Sequence, residues 1–418
     1  MTLRIGLFTT EFPSPSQTFV LNQITGLLDA GHQVDIFALE QGVMHETHED
    51  VSAYRLLDRV IFCKAAYQRI KGKIIHRIIL GSYYILKYIF RYPRCIFNSI
   101  NIFKYGKKAA SFNCLFKVLP FIETKPYDVI HCHFGPCGKY ALAMRKLGAI
   151  EGKIVTTFHG YDLSTYLNRH GDDIYEELFR EGDLFLPISR FWKQKLICLG
   201  CDEKKIVVHP MGIDVSRFTF QPIRDKEKNK KFILLTIARL VEKKGVEYGI
   251  EAVNLLRREF PSLEYWIVGD GPLKEKIVHL MERLDLHQKV KLYGWKNQDE
   301  IASLMSQADM LIAPSVTTSD GDQEGIPVVL MEALAIGLTV VSTHHSGIPE
   351  LIKDGENGML VKERDQVELS QKIAFGIRHR ETLDKMRENG RFFIENHHDI
   401  KLLNQKLFSL LLNISGKR

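Results

Sequence analysis

The chain has 418 residues, of which 45% are hydrophobic and 26% charged, and its net charge is +7. This length favours two domains, and this composition excludes a disordered or fibrous chain. The seven cysteines are scattered and odd in number, which argues against a disulfide framework and favours a reducing compartment. The first apolar run is too short for a secretory signal, and no uncharged apolar stretch reaches about 18 residues. We therefore expect a cytoplasmic protein without a transmembrane helix.

The first forty residues have the pattern of a strand, a helix and a second strand. Arg4–Thr9 is a short apolar run, Thr18–Leu28 is apolar at helical spacing, and Val34–Leu39 is apolar again. A βαβ unit of this length predicts a parallel sheet, because parallel strands need a crossover connection. The same pattern predicts four further strands in this half: Tyr127–His131, Lys153–Phe158, Asp183–Ile188 and Lys205–His209.

Residues 59–117 form a basic block within this half. They contain thirteen Lys or Arg, no Asp or Glu, and many aromatic side chains. Subtracting thirteen from the net charge of +7 leaves −6 on the rest of the chain, so the positive charge is local. Cations with apolar residues at roughly helical spacing predict an amphipathic insert that contacts an anionic membrane surface. The alternative is a helical part of the fold with solvated cations. Since no nucleic-acid-binding motif is present, we expect no nucleic acid partner.

A second cycle of strands and helices begins at Phe232, after a charged, proline-containing linker at Gln221–Lys231. The pattern predicts a helix over Glu247–Glu259 and another within Pro327–Gly337. Strands are predicted within Phe232–Leu240, Leu263–Gly271, Val290–Trp295, Asp309–Ser315 and Thr339–Thr343. Two α/β halves joined at this linker predict a central cleft, with ligands at the carboxyl ends of the strands.

The linker divides the chain into two predicted domains, residues 1–220 with the basic insert and residues 221–400. The remaining segment, 401–418, contains an apolar stretch at helical spacing over Leu402–Leu412. We expect a helix there that crosses back onto the first domain. The alternative is an ordinary helix docked on the second domain.

Two cations flank a strand-to-helix loop in the second half. Arg239 follows the strand that begins at Phe232, and Lys244 precedes the next helix. Two cations beside a helix N-terminus, which itself favours anions, suit a diphosphate. The alternative is a solvated loop.

Two glutamates, Glu324 and Glu332, are separated by seven residues around the start of an apolar helix. Gly325 and Pro327 suit a tight turn that leads into this helix. The first carboxylate can accept hydrogen bonds from sugar hydroxyls, and the second can accept from both hydroxyls of a ribose. Backbone amides between them can hold phosphate oxygens.

Taken together, these residues resemble the retaining GT-B glycosyltransferases of family 4, and the resemblance covers nearly the whole chain. The segments that carry it are Phe158–Asp162, Arg239–Gly245, Val268–Pro272, Glu324–Glu332, Ser346–Glu350 and Asp354–Gly358. Within the family, Phe12–Phe19 and Ser319–Pro327 resemble enzymes of colanic acid and related exopolysaccharide assembly.

The resemblance implies an α/β, GT-B fold with two Rossmann-like domains and a central cleft. It implies retaining transfer of a hexose from a nucleotide sugar, for which we expect a UDP-hexose, to a lipid-linked saccharide acceptor. The first domain would bind the acceptor and the second the nucleotide sugar. The enzyme would be cytoplasmic and peripheral at the inner face of the cell membrane.

The resemblance also implies a role for each matching residue. His159 would touch the sugar or its phosphate, Arg239 and Lys244 would neutralise the leaving phosphate, and Glu324 would hold the sugar. These four form the expected catalytic set. The expected nucleotide-sugar contacts are Gly269, Gly271, Tyr293, Gly294, Gly325, Ile326, Pro327 and Glu332. Fixed cations stabilise the leaving diphosphate without a metal, so we expect neither a metal nor another cofactor.

Several alternatives stay open. A sugar-nucleotide epimerase of the same architecture, a GDP-mannose-dependent mannosyltransferase, a non-catalytic binding protein and a membrane scaffold all fit part of the pattern. The chain also departs from the family, because Ser14–Gln17 stands where many members have a glycine pair. Gln323 and the pair His344–His345 are positions where sugar preference can be tuned.

Other patterns have weaker chemical interpretations. His131–Cys137 resembles a metal cluster, but alternate strand residues point to opposite faces, so we expect no metal there, whereas His133 could face the active site. Cys198–Cys201 lacks the partners of a zinc or redox site. Gly269–Gly271 lacks the third glycine of a dinucleotide fingerprint. Asp162 could contact the acceptor or cap a helix.

Overall fold

The N-terminal half is built on a parallel sheet of six strands in the order β3-β2-β1-β4-β5-β6. The computed structural model describes residues 1–14, 17–42, 48–64, 74–220 and 231–417. The predicted linker therefore lies outside the described residues, except for Lys231. The strands are β1 (Arg4–Phe12), β2 (Gln33–Gln41), β3 (Val60–Phe62), β4 (Val129–His133), β5 (Lys153–Phe158) and β6 (Leu184–Pro187).

The C-terminal half repeats this topology with a second parallel sheet in the order β12-β11-β10-β7-β8-β9. Its strands are β7 (Phe232–Ile237), β8 (Leu263–Val268), β9 (Val290–Gly294), β10 (Met310–Ala313), β11 (Thr339–Thr343) and β12 (Met359–Val361). Both orders correspond to the doubly wound Rossmann arrangement, whose ligands bind where the strand order reverses. The predicted fold class is confirmed.

Helices cover both sheets, as buried parallel strands require. Those of the first half are Thr18–Asp29, Glu49–Ala53, Ile74–Tyr88, Pro93–Ser99, Ile102–Tyr105, Lys107–Ala110, Asn113–Val118, Gly135–Leu147, Thr165–His170, Glu176–Glu181 and Arg190–Cys198. Those that follow are Val246–Leu256, Lys274–Arg283, Gln298–Gln307, Val328–Ile336, Ile348–Leu351, Gln366–Arg378, Arg380–His397 and Ile400–Ser415. Short 3₁₀ turns span Leu56–Arg59, Tyr161–Leu163, Asp172–Tyr175, Glu203–Lys205, Val215–Arg217 and Glu242–Lys244.

One predicted strand is wrong. Lys205–His209 is not a strand: it forms an isolated bridge between Ile206 and Phe185 of β6, with backbone hydrogen bonds from Val207 to Phe185 and from His209 to Pro187, both at 3.0 Å. The Lys205 ammonium donates to the carbonyl groups of Phe179, Arg180 and Gly182, at 2.9–3.1 Å. These three bonds tie the start of the segment to the end of helix Glu176–Glu181, and the segment runs beside β6 without forming a regular strand.

The last helix, Ile400–Ser415, packs against the first half of the chain. Leu407 and Leu411 are fully buried in the same apolar cluster as Leu3 and Ile5. The Asn404 amide donates to the carbonyl of Asn22 at 3.3 Å, in a space left by the missing side chain of Gly26. The C-terminal helix therefore contributes to the hydrophobic core of the N-terminal half.

Candidate active site

The carboxyl ends of the two sheets face each other, and loops from both halves meet there. Gly325 precedes helix Val328–Ile336, and a Cβ at this position would collide with the carbonyl oxygen of His159. A Cβ on Gly160 would lie 3.1 Å from the Cα of Gly325. The two glycines thus allow backbone-to-backbone contact across the cleft, and they bring the predicted histidine loop to the predicted glutamate loop.

Lys244 and Glu324 form an ion pair at the floor of this cleft, with Nζ and Oε1 3.0 Å apart. Lys244 ends the 3₁₀ turn Glu242–Lys244, and Gly245, in the left-handed region at φ +59°, starts the next helix. Burial raises the pKa of Glu324, but Lys244 and Lys243 outweigh it and hold this pKa below its ordinary value. Glu324 is therefore an anion before any ligand binds.

A second ion pair lies beside the first. Lys243 Nζ is 3.0 Å from Asp322 Oδ2. Across the cleft, Asp322 also accepts a 3.4 Å hydrogen bond from Ser164. Neither contact was expected from the sequence, since Lys243 and Asp322 are almost eighty residues apart.

The helix Val328–Ile336 points its N-terminus at the same place. Ile326 and Pro327, both buried, lead into its first turn, and no side chain caps it. Uncapped N–H groups at a helix N-terminus attract anions. The Lys244 ammonium and the N–H groups at this helix N-terminus are thus suited to bind the same phosphate group.

Glu332 lies one turn along that helix and has no hydrogen-bond or ion-pair partner among the described residues. Burial raises its pKa to about 7. A partly buried carboxyl group without a partner is unfavourable in the unliganded protein, and donors from a ligand would relieve it. The ribose contact that the resemblance implies for Glu332 stays a prediction.

Glu332→Gln is expected to stabilise the unliganded protein at pH 8 and to weaken nucleotide binding. The folded-state pKa of about 7 exceeds the ordinary 4.5, so ionising Glu332 opposes folding increasingly as pH rises from about 4.5 to 7. Removing this ionisation should add roughly 1–3 kcal/mol to the unfolding free energy at pH 8 and little at pH 4.5. Urea unfolding at both pH values measures the effect. The exposed Glu388→Gln serves as control, and a loss of stability at pH 8 would contradict the assignment.

Arg239 is exposed in the loop after β7, and no described residue pairs with its guanidinium group. Gly269 and Gly271 lie behind this loop. A Cβ at Gly269 would collide with the carbonyl of Ala238, and one at Gly271 with that of Leu240. The close packing of the two loops therefore requires glycine at both positions. This requirement is independent of the nucleotide contact that was predicted for them.

Tyr293 and Gly294 end β9 at the rim of the cleft. The Tyr293 ring contacts that of Trp266, with centroids 5.3 Å apart. Gly294 has φ +66°, faces open space, and accepts a hydrogen bond from the N–H of Gly269 at 2.8 Å. The aromatic pair beside an open backbone is compatible with a border for a nucleotide base.

His159 follows the end of β5, and its ring packs at a tilt against two phenylalanines. Its ring centroid lies 4.5 Å from that of Phe19 and 4.6 Å from that of Phe134. Its Nε2 is 3.1 Å from Nδ1 of His133, which ends the neighbouring strand β4. Burial, with the nearby His131, lowers the pKa of His159 to about 3, so the imidazole is neutral at neutral pH. A neutral imidazole can donate a hydrogen bond to a ligand.

Asp162 holds the loop that carries His159. Its carboxylate accepts hydrogen bonds from the backbone N–H groups of His159 and Gly160 and of Gly135, at 2.9–3.0 Å. Burial raises its pKa to about 6. The side chain is completely buried, so it serves the loop and does not face an acceptor.

At pH 5, below the raised pKa of Asp162, Asp162→Asn removes little charge and is expected to lower the unfolding free energy by about 1–3 kcal/mol, since the amide donor would face the N–H of Gly135. Transfer activity should fall as well, because the His159 loop loses one of its anchors. Urea unfolding and a transfer assay measure both. The exposed Asp172→Asn is the matched control, and equal stability of the two variants would refute this role for Asp162.

The segment His131–Cys137 has no convergent set of ligands. His131 Nε2 is 2.9 Å from Thr157 Oγ1, and Cys132 and Cys137 are buried thiols whose pKa burial raises. Within the described ranges, no group of three or more His, Cys, Asp or Glu is placed to hold a metal ion. Cys198 and Cys201 are free, one exposed and the other buried.

The hydrogen-bond partners of the key side chains are not evident from the sequence. His133 beside His159 could have been inferred, because both residues end strands that the order of the sheet makes neighbours. The bond between His345 and the backbone of Glu324, at 2.9 Å, has no comparable signal, since Glu324 lies eleven residues beyond the end of β10 in a loop whose path the strand order does not fix.

Two Rossmann-like halves with a cleft between them define the GT-B class of glycosyltransferases. Residues 16–217 match the protein-family model described as Glycosyltransferase Family 4. Residues 218–393 match the model described as Glycosyl transferases group 1. A solved structure of Alr3699/HepE from Anabaena, in complex with UDP, is similar with a TM-score of 0.69 at 16% identity, over 98% of this chain and all of that one.

Relatives with higher sequence identity to this chain indicate which glycosyltransferases it belongs to. The putative colanic acid biosynthesis glycosyltransferase WcaL of Escherichia coli K12 is 38% identical over 414 residues, which is 98% of this chain and 99% of the relative. The amylovoran biosynthesis glycosyltransferase AmsK of Erwinia amylovora is 39% identical over 368 residues, 87% of this chain and 88% of the relative. The chain therefore belongs to the family 4 glycosyltransferases of exopolysaccharide biosynthesis.

Proposed function

We propose that the chain is a retaining hexosyltransferase that moves a hexose from a UDP-sugar to a lipid-linked oligosaccharide without a metal. The observation that carries the proposal is the group of charges at the cleft. Lys244, Glu324 and an uncapped helix N-terminus converge there, while Arg239 and Glu332 have no partner among the described residues. Such a site is complementary to a diphosphate joined to a sugar and a ribose.

In this proposal the bond between the anomeric carbon and the β-phosphate oxygen breaks. Arg239, Lys244 and the backbone N–H groups in the first turn of helix Val328–Ile336 stabilise the negative charge that collects on the diphosphate. The acceptor hydroxyl attacks the same face of the sugar, and its proton passes to the leaving diphosphate. Glu324 holds the sugar hydroxyls, and the neutral His159 donates from the other side of the cleft.

A thermal-shift comparison of UDP, GDP and ADP, with and without EDTA, tests the donor site. A nucleotide at about 100 times its Kd should add roughly 2.7 kcal/mol to the stability of the protein. A shift with UDP that EDTA leaves unchanged supports the proposal. A shift with GDP alone favours the mannosyltransferase, a shift that EDTA removes contradicts metal independence, and no shift contradicts the site. Altered UDP-sugar formed without acceptor would instead indicate an epimerase.

We also propose that the basic block docks the enzyme on the anionic inner face of the cell membrane, where a lipid-linked acceptor lies. The support is an exposed apolar stripe on helix Ile74–Tyr88 and just beyond it. Its members recur every three or four residues, as one helical face requires, and Phe90 is 93% exposed. The stripe consists of Ile75, Ile79, Tyr83, Leu86 and Phe90.

The opposite face of that helix is already covered, since a Cβ at Gly81 would meet the ring of Phe112 at 2.8 Å. Exposed cations flank the stripe at Lys87, Arg91 and Arg94, with no Asp or Glu between residues 59 and 117. Among the described residues, no helix combines the length and apolar character that crossing a bilayer requires. An apolar stripe with flanking cations suits a helix lying in the headgroup layer.

The double variant Ile79→Gln/Leu86→Gln is expected to lose at least tenfold in affinity for vesicles that contain phosphatidylglycerol. Each buried aliphatic side chain contributes about 1.5–3 kcal/mol, so two substitutions exceed a tenfold effect. Vesicle flotation measures binding, and Leu255→Gln is the control because Leu255 is exposed on the other half. Equal binding by the double variant, or equal binding to neutral vesicles, would refute the membrane surface.

A further inference from the structure

His345 is a buried histidine next to the glutamate loop. It lies two residues after β11, and its side chain is fully buried, whereas that of His344 is exposed. Its Nε2 accepts a hydrogen bond from the backbone N–H of Glu324 at 2.9 Å, and its Nδ1 lies 2.6 Å from Glu363 Oε1. Because Nε2 must present a lone pair to an N–H group, the ring proton is on Nδ1 and is donated to Glu363.

Glu363 is itself fixed by Thr317. It accepts the backbone N–H of Thr317 at 2.8 Å and the Thr317 hydroxyl at 3.2 Å. Burial raises the pKa of Glu363, but the Thr317 N–H and His345 outweigh it and hold this pKa below its ordinary value. An ionised carboxylate with fixed geometry thus determines both the tautomer and the orientation of the His345 ring.

Ser346 completes the support of the loop. Its hydroxyl donates to the carbonyl oxygens of Glu324 and Gly325 at 2.8 and 3.1 Å. The N–H and the carbonyl of Glu324 are therefore both held by consecutive residues, whereas its carboxylate contacts Lys244. The direction in which Glu324 presents its carboxylate depends on this backbone support.

We infer that His345 is a positioning residue for the transferred sugar, and that Glu363 keeps it in the required tautomer. The inference rests on the proposed role of Glu324. Neither residue contacts Arg239 or Glu332 in the hydrogen bonds and ion pairs of the described residues, so nucleotide binding should not need them. A displacement of about 1 Å in a positioning group can cost on the order of 100-fold in rate.

The test compares kcat with UDP affinity in His345→Ala. Transfer should fall about 30- to 100-fold, while the Kd for UDP stays within about twofold. His345→Gln should recover part of the rate, because its Oε1 can accept the N–H of Glu324. Combining His345→Ala with Glu363→Gln should cost little more than His345→Ala alone, since residues that act as one unit are not additive.

His32→Ala is the matched control. His32 is also buried and also accepts a backbone N–H, that of Leu3 at 3.2 Å, but at the end of the sheet away from the cleft. It should lower the melting temperature and leave kcat unchanged. The inference would be overturned by an unchanged kcat in His345→Ala, or by a parallel loss of kcat and UDP affinity. If His345→Ala does not fold, the same comparison is made with His345→Gln and Glu363→Gln. Failure of the wild type to bind UDP would instead overturn the proposed function.

Discussion

Glu324→Gln is expected to lower the rate of sugar transfer by about 100- to 1000-fold while UDP still binds. Loss of a single preorganised group in an active site has effects of this size. The amide cannot replace a carboxylate that accepts from sugar hydroxyls in the transition state. It also releases Lys244 from its ion pair, so the ammonium becomes available to phosphate and UDP affinity should hold or rise.

Single-turnover transfer and UDP titration separate these two effects. The matched control is Glu350→Gln, a glutamate of the same half that accepts hydrogen bonds from the N–H groups of Arg190 and Phe191 at 2.8 and 2.9 Å. It lies between the two halves and outside the proposed sugar contacts, so its effect on the chemical step should be much smaller. Near-wild-type transfer by Glu324→Gln would remove this residue from the mechanism.

Lys244→Ala should have the second largest effect, and it should act on stability as well as activity. The substitution leaves Glu324, a buried carboxylate, without its ion-pair partner. Breaking a buried pair from one side costs about 3–5 kcal/mol, because an uncompensated charge remains. UDP affinity and transfer should both fall, since the leaving phosphate loses one of its two proposed cations.

The double variant Lys244→Ala/Glu324→Gln distinguishes the two consequences. It should recover most of the lost stability, because no buried charge is left alone, and none of the activity. Lys243→Ala, which removes the neighbouring cation from its pair with Asp322, should have a smaller effect on both. If the unfolding free energy of the double variant is no higher than that of Lys244→Ala, the stability lost in Lys244→Ala does not come from the unpaired charge of Glu324. Urea unfolding and transfer assays on the four proteins measure these differences.

The order of strands and helices could be predicted from the sequence, because the local pattern of apolar residues is enough to locate most of these elements. Lys153–Phe158, for example, is a strand with the predicted bounds, since its four consecutive β-branched residues, Ile154–Thr157, favour a strand. The edge strands β3 and β12 have three residues each, which is too short for a periodic pattern to develop. Lys205–His209 has the apolar pattern of a strand, but within the described residues it pairs with β6 through one isolated bridge and two backbone hydrogen bonds only.

The candidate site could be predicted only in part. Within each family motif, such as Arg239 with Lys244 or Glu324 with Glu332, the residues are close in sequence, so their types and spacing predict the motif. The partners of these residues are distant: Lys244 and Glu324 are eighty positions apart, and Glu363 reaches Glu324 only through His345. Such contacts depend on which strands are neighbours and on how far each loop extends beyond its strand, and a single sequence does not contain that information in local form.

The return of the last helix has a consequence for synthesis of the chain on the ribosome. Leu407 and Leu411 fill a core that otherwise belongs to the first half, yet they are made roughly 180 residues after that half is complete. At elongation rates of about 5–20 residues per second, the gap lasts roughly 10–40 s. During this interval the nascent first half exposes an apolar face that only its own carboxyl terminus can cover, and it is expected to need chaperones. For the same reason, the first half expressed alone should aggregate unless the terminal helix is supplied.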